Sequence, residues 1–211
     1  MGNPGEHYQG YGPQAWLAHA WSSLARGALS ARHGFHVGQL ASVASDGEPR
    51  VRTVVLREVS SEARQLICHT DRRAGKCAEL MARPRVGWHF YDARHKLQLR
   101  LQGDANVHLD GPLWRRRWQA SAVGSRRCYL AVDAPGTPQA AWDSGFPAAL
   151  RDRRPEAAES EAGQVNFAVV VCEIDRLEVL WLSAQGHRRL RFTWVPSTEG
   201  PGRWDGGWVT P

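Results

Sequence analysis

The chain has 211 residues and a mass of 23.5 kDa, enough for one domain with a substantial core and cramped for two. Hydrophobic residues make up 42% and charged residues 23%, an ordinary globular balance, and no apolar run approaches the roughly 20 residues that span a bilayer. A net charge of +6 and a pI near 9.6 raise nucleic acid as a partner.

Residues 1–12 are polar and Gly-rich, without the apolar stretch of a secretory signal, and are expected to form a flexible tail. From Pro13 to about Arg32, Trp16, Leu17, Ala20, Trp21, Leu24 and Leu29 recur near a 3.6 period, which predicts a helix opened by proline. Residues 36–44 and 49–59, joined by Ser45-Asp46-Gly47-Glu48, read as a hairpin, and 65–70 as a third strand. A short helix over 73–82 ends at Arg83-Pro84. Strands follow at 86–91 and 97–107. In the latter, Leu97, Leu99 and Leu101 alternate with Gln98, Arg100 and Gln102.

A helical insertion is expected near 111–130, then a Pro/Gly loop at 134–138 and a charged, Ala-rich surface excursion at 151–163. Residues 165–174, 177–182 and 189–195 read as separate strands, and 203–208 as a last hairpin element. Short strands joined by turns, with helices at the edges, predict a mainly β architecture: an antiparallel Greek-key barrel with peripheral helices in a single domain, 13–211.

Three groups of residues carry candidate chemistry. Only two of the 27 cationic residues are lysines, and one of them, Lys76, follows Thr70-Asp71-Arg72-Arg73-Ala74-Gly75 at the start of a helix. With Arg52 and the hydroxyl of Thr70, it offers a phosphate both focused and bidentate contacts, supplemented by free helix N–H groups. Gln98 can both donate to and accept from the polar edge of a ring, although a solvated strand face explains it equally well. His187-Arg188-Arg189-Leu190-Arg191 follows Trp181 and could close over an anionic aromatic molecule, or could protect an edge strand.

The four cysteines lack Cys-x-x-Cys spacing, which suits a reduced, cytoplasmic protein. The histidines match no metal-binding spacing, so no metal is expected. Trp114-Arg115-Arg116-Arg117-Trp118 is the one patch that suits nucleic acid, and an amphipathic helix with solvated arginines explains it better.

Together these blocks resemble the pyridoxamine 5'-phosphate oxidase-like family of FMN-binding split barrels over about 13–211, nearer to its FMN-binding-domain branch than to the oxidases proper. The family's Arg-x-Val-Leu-Leu-Lys strand is matched by Arg52-Thr53-Val54-Val55-Leu56-Arg57. Its Tyr-Thr-x-x-x-Ser-Arg-Lys turn is matched by His69-Thr70-Asp71-Arg72-Arg73-Ala74-Gly75-Lys76. Its ring glutamine falls on Gln98, and its tryptophan and arginine ten residues apart fall on Trp181 and Arg191.

The resemblance implies a six-stranded split barrel and a homodimer with FMN at the subunit interface. It also implies an oxidoreductase that takes a hydride from a small substrate onto FMN and is reoxidised by oxygen. Arg57 and Arg189 become the candidate catalytic residues. Arg52, Thr53, Val54, Val55, Leu56, Arg57, His69, Thr70, Gly75, Lys76, Gln98, Trp181 and Arg191 become the candidate cofactor residues. Three departures separate the chain from the oxidases. Arg57 stands at the substrate-phosphate lysine, His187-Arg188-Arg189 stands for Arg-x-His, and the Tyr-x-x-x-Arg-x-x-x-Ser block is absent from 115–129. A flavin reductase or carrier without vitamin B6 turnover is the alternative.

Overall fold

The computed structural model describes Tyr8 and residues 10–211. Eight strands form one antiparallel sheet in the order β3-β2-β1-β4-β5-β6-β7-β8, and β3 also pairs with β6. That extra pairing closes six strands into a barrel: β1 (Val37–Val43), β2 (Pro49–Ser60), β3 (Gln65–Asp71), β4 (Arg85–Asp92), β5 (Leu97–His108) and β6 (Phe167–Trp181). β7 (Arg188–Val195) and β8 (Arg203–Val209) continue the sheet beyond β6 as a flap. The barrel and its peripheral helices match the expected mainly β split barrel.

Strand alternation fills the interior. Leu97, Leu99 and Leu101 of β5 face Leu177, Val179 and Trp181 of β6 across the ladder, all at most 5% exposed. Helix α1 (Pro13–Leu29) buries Trp16, Leu17, Ala20, Trp21 and Leu24 in the same core. The helix ends three residues earlier than expected, where Ser30 turns to extended backbone. Of the expected tail, residues 1–7 and 9 lie outside the described residues. Tyr8 is buried, with its ring stacked on Trp16 at 5.0 Å, so it belongs to the core.

Residues 165–182, expected as two strands, make one long β6. Asp175 is the extra residue of a bulge that steps the register from Gln102↔Arg176 to Gly103↔Ile174, and the ladder continues past it. Gly103 permits the approach, since a Cβ there would meet the Glu173 carbonyl oxygen at 1.9 Å.

The insertion forms α3 (Gly111–Ala120) and α4 (Val123–Arg126), then a 3-10 turn (Arg127–Leu130). It covers the outer face of β3 and β6 through a second cluster of Ile67, Trp118, Tyr129, Phe167, Val169 and Val171. The charged stretch at 151–163 is anchored there as well. Helix α5 (Ala157–Ser160) opens with a Glu156/Glu159 capping box, and Ser160 is fully buried.

Candidate functional site

β2 and β3 run into helix α2 (Gly75–Ala82), and this corner collects the first group of candidate residues. Side chains on β2 alternate. Arg52, Val54 and Leu56 point to the barrel interior or its rim, while Thr53, Val55 and Arg57 point outward. Val54 and Leu56 are core residues, 8% and 0% exposed, so only their backbone is available to a ligand. Arg52 donates to Glu79 at 2.7 Å, Ser42 at 2.5 Å and the Leu40 carbonyl at 3.3 Å. Lys76 donates to Thr70 Oγ1 at 2.7 Å. Lys76 and Glu79 lie three residues apart and share one face of α2, so these contacts form a single polar corner.

The corner suits a phosphate. Helix α2 begins at Ala74 without a side-chain cap and without an acidic residue in its first turn, so its first amides have no local carboxylate partner. Gly75 is exposed, and a Cβ there would meet only Glu79 Oε1, at 3.7 Å. Lys76, Arg52 and the Thr70 hydroxyl supply charged and neutral donors beside those amides. Glu79 is the carboxylate among these contacts, while the neighbouring Asp71 is taken up by Arg73. Glu79 holds Arg52 through one edge of the guanidinium and lowers the corner's net positive charge.

Just outside the corner, His69 packs edge-on against Phe167 at 4.9 Å, and its Nε2 is buried without a hydrogen-bond partner. Burial, followed by the nearby cations Arg57 and Arg117, pushes its imidazole down to about 3, so it is neutral at physiological pH. An orphaned, neutral ring nitrogen next to the exposed Arg57 marks a place where a ligand's polar atom could be received.

The second group lies across the barrel. Gln98 on β5 is paired with Leu180 on β6, and Leu180 with Arg189 on β7; all three side chains share the outer face. Arg191 lies further along β7 on that face, with its Nη2 3.6 Å from Glu178. Trp181 does not join them. It points inward, 5% exposed, packs on Tyr8 and Trp16 at 5.5 and 6.1 Å, and lies under the Arg188 guanidinium. One residue of strand parity moves a side chain to the opposite face, so within this chain Leu180, and not Trp181, lies beside Gln98 and Arg189.

Two residues absent from the sequence analysis, Glu79 and Glu178, pair with the candidate cations, and Arg100, read there only as part of a polar strand face, joins Glu178. The period-two pattern of β6 does carry a signal for Glu178, since it falls out of phase with Leu177 and Val179. The two groups occupy opposite walls, because β2 and β5 are three strands apart in either direction around the closed barrel. A single chain therefore carries the two groups on separate walls of the barrel.

The basic aromatic helix is packed inward. Trp118 is 1% exposed and donates to Glu161 at 2.7 Å, Trp114 donates to the Phe167 carbonyl at 2.8 Å, and Arg117 pairs with Glu58. Its tryptophans are thus unavailable to stack bases. Among the described residues, no group of His, Cys, Asp or Glu could hold a metal, and no helix is long and apolar enough to cross a membrane.

Residues 18–109 match the family model described as "Pyridoxamine 5'-phosphate oxidase, FMN-binding domain". Over that segment the chain is similar to the FMN-binding domain of the pyridoxamine 5'-phosphate oxidases, and its fold is a split barrel. The matched segment holds Arg52, Thr70, Lys76 and Gln98 and ends before the β6–β7 face. A curated relative from Arabidopsis thaliana, "Pyridoxine/pyridoxamine 5'-phosphate oxidase 2", is 27% identical over 205 residues, covering 90% of this chain and 96% of the relative.

Two solved structures share the split-barrel fold at 19% identity. One is a pyridoxamine 5'-phosphate oxidase-related, FMN-binding protein from Nostoc punctiforme, with a TM-score of 0.72, covering 96% of this chain and all of that one. The other is PhzG from Burkholderia lata in complex with tetrahydrophenazine-1-carboxylic acid, with a TM-score of 0.66 and coverage of 98% and 96%.

Proposed function

We propose that the protein is an FMN-dependent oxidoreductase whose two cofactor sites are each shared between the subunits of a homodimer. The observation that carries this reading is the separation of the half-sites: a phosphate corner on β2, β3 and α2, and a glutamine–arginine face on β5, β6 and β7. Two chains related by a two-fold axis can bring one half-site from each to a common cleft, and the operation makes two such clefts. The outer faces of β1, β2 and β4 support the pairing. Val37, Val43, Val51 and Tyr91 are 39–66% exposed there, an apolar surface that a second copy can bury. A groove of about 480 Å³ beside it is lined by Gln39, Val51, His89, Arg100 and Arg191, among others.

In this reading, Lys76, Arg52, Thr70 and the first amides of α2 hold the FMN phosphate, while the backbone of β2 from Thr53 to Leu56 supports the ring. Gln98 and Arg191 of the other subunit meet the polar edge of the ring. Bound FMN would supply a two-electron acceptor for a hydride from a substrate carbon. Arg57, exposed and outward on β2, and Arg189 on the opposing face supply positive charge where a substrate anion would sit. His69 stays neutral and receives a hydrogen bond rather than providing charge.

Tyr129 is 7% exposed within the second cluster, packed edge-on against Phe167. Burial raises its phenol well above the ordinary range, so it acts as a neutral group. Without a Tyr-x-x-x-Arg-x-x-x-Ser block, a pyridoxine phosphate would be poorly oriented, and a misplacement of about 1 Å can cost on the order of a hundredfold. Steady-state assays of FMN-loaded protein should therefore show weak or no turnover of pyridoxamine and pyridoxine 5'-phosphates. A kcat/KM of about 10⁴ M⁻¹s⁻¹ or more would make the protein an oxidase of that substrate with a rebuilt pocket.

A further inference from the structure

A single carboxylate stands among three guanidinium groups on the outer face of β5, β6 and β7. Arg100, Glu178 and Arg191 lie directly opposite one another across the three strands, and Arg189 lies on the diagonal. Arg100 donates to Glu178 Oε1 through Nε at 2.7 Å and also through Nη2. Arg189 Nη2 donates to Oε2 at 2.9 Å, and Arg191 Nη2 lies 3.6 Å from the same oxygen.

Glu178 is only 8% exposed, although it belongs to the outward face of its strand. Burial opposes its ionisation, yet the hydrogen bonds from Arg189 and Arg100 outweigh burial and hold its carboxyl below the usual range. The ion is therefore kept charged by its neighbours. A threonine or valine would satisfy a β-strand position without the desolvation of a carboxylate. Without the carboxylate, Arg100, Arg189 and Arg191 would crowd one another as like charges across adjacent strands.

We infer that Glu178 is a positioning residue that aims Arg189 and Arg191 toward the cofactor and, by fixing the charge of that cluster, sets the reduction potential of the bound flavin. This rests on the reading, proposed above, that Arg191 meets the ring. Cations near the ring favour its reduced, anionic form, and a carboxylate among them tempers that preference. At an effective dielectric near 20, one unit charge at ~10 Å changes the relative stability of two charge states by about tenfold or somewhat more.

The test is a redox titration of FMN-loaded protein, with FMN affinity measured alongside by fluorescence. Glu178→Gln removes one negative charge at nearly constant volume, and its midpoint potential should rise by about 30 mV, the equivalent of tenfold for a two-electron couple. Glu178→Asp, which keeps the charge, should stay near wild type. Arg100→Gln removes one positive charge at a half-exposed site and should shift the potential in the opposite direction. If Glu178→Gln fails to fold, Arg100→Gln carries the test. Unmoved potentials, or shifts of the same sign in the two variants, would overturn the inference. Arg191→Ala separates the layers: if it weakens FMN binding while the other potentials stay fixed, the inference alone falls. If it leaves FMN binding unchanged, the placement of the cofactor falls and takes the inference with it.

Discussion

At the β2–β3–α2 corner, Arg52, Thr70 and Lys76 are gathered by two strands and the start of one helix, within 25 residues of sequence. On the β5–β6–β7 face, Gln98, Glu178, Arg189 and Arg191 are gathered by ladder register alone, from segments about 80 residues apart. The first arrangement is local and leaves helix amides open; the second is non-local and closes its charges into a network. A phosphate needs a dense cluster of donors, which a turn and a helix end provide. A ring edge needs a few groups at fixed spacing, which a sheet provides.

The largest effect should come from a residue that belongs to neither region. Trp181 packs inside the barrel on Tyr8 and Trp16, so Trp181→Ala should lower stability by about 3–5 kcal/mol, read as a shift of the denaturation midpoint. Trp181→Phe should keep FMN affinity near wild type. A large loss of affinity in a Trp181→Phe protein of unchanged melting temperature would move this residue into the site.

If the corner holds the FMN phosphate as proposed, Lys76→Ala or Arg52→Ala should remove a charged hydrogen bond worth roughly 1.5–3 kcal/mol. FMN affinity should fall by about tenfold to a hundredfold, while riboflavin, which lacks the phosphate, should bind the variants and the wild type alike. Equal losses for both ligands would place these cations elsewhere on the cofactor.

A smaller effect should separate the corner from the bulk by pH. His69 has a folded pKa of about 3, against about 6.5 for an unfolded chain. Between those values the unfolded chain binds a proton that the folded chain excludes. The stability His69 contributes is therefore fully present above about pH 6.5 and is lost on acidification, by at most about 1.4 kcal/mol per pH unit. His69→Phe keeps the contact with Phe167 and removes the titrating group. Urea unfolding at pH 7 and pH 5 should show a smaller acid penalty in the variant by about 2 kcal/mol. Parallel losses would mean that His69 is solvated.

These two regions also mark how much the sequence discloses. The Leu97–Leu99–Leu101 alternation, the Ser45–Glu48 turn and the Thr70-to-Lys76 spacing are set by neighbours along the chain, and they read correctly as strand, hairpin and helix start. Closure of β3 against β6 and the flap of β7 and β8 depend on pairings between distant segments, which local periodicity does not encode. The Asp175 bulge hid the continuity of β6, since one unpaired residue looks like a break in a period-two pattern. Spacing within a motif picks out Trp181, but strand parity, which turns its side chain inward in this chain, is not legible from spacing alone. Glu79 and Glu178 went unread because a carboxylate among cations announces itself only when the third dimension brings them together.

The central claim is that each flavin site takes its phosphate corner from one subunit and its glutamine–arginine face from the other. Mixing Lys76→Ala protein with Arg191→Ala protein, under conditions in which subunits exchange, tests it directly. Each heterodimer should contain one site with both defects and one with neither. Flavin fluorescence quenching should then recover tight FMN binding at one site per heterodimer, about half of all heterodimer sites. Folded, exchanging subunits that recover no tight binding would show that both halves act within a single chain and would contradict the shared site.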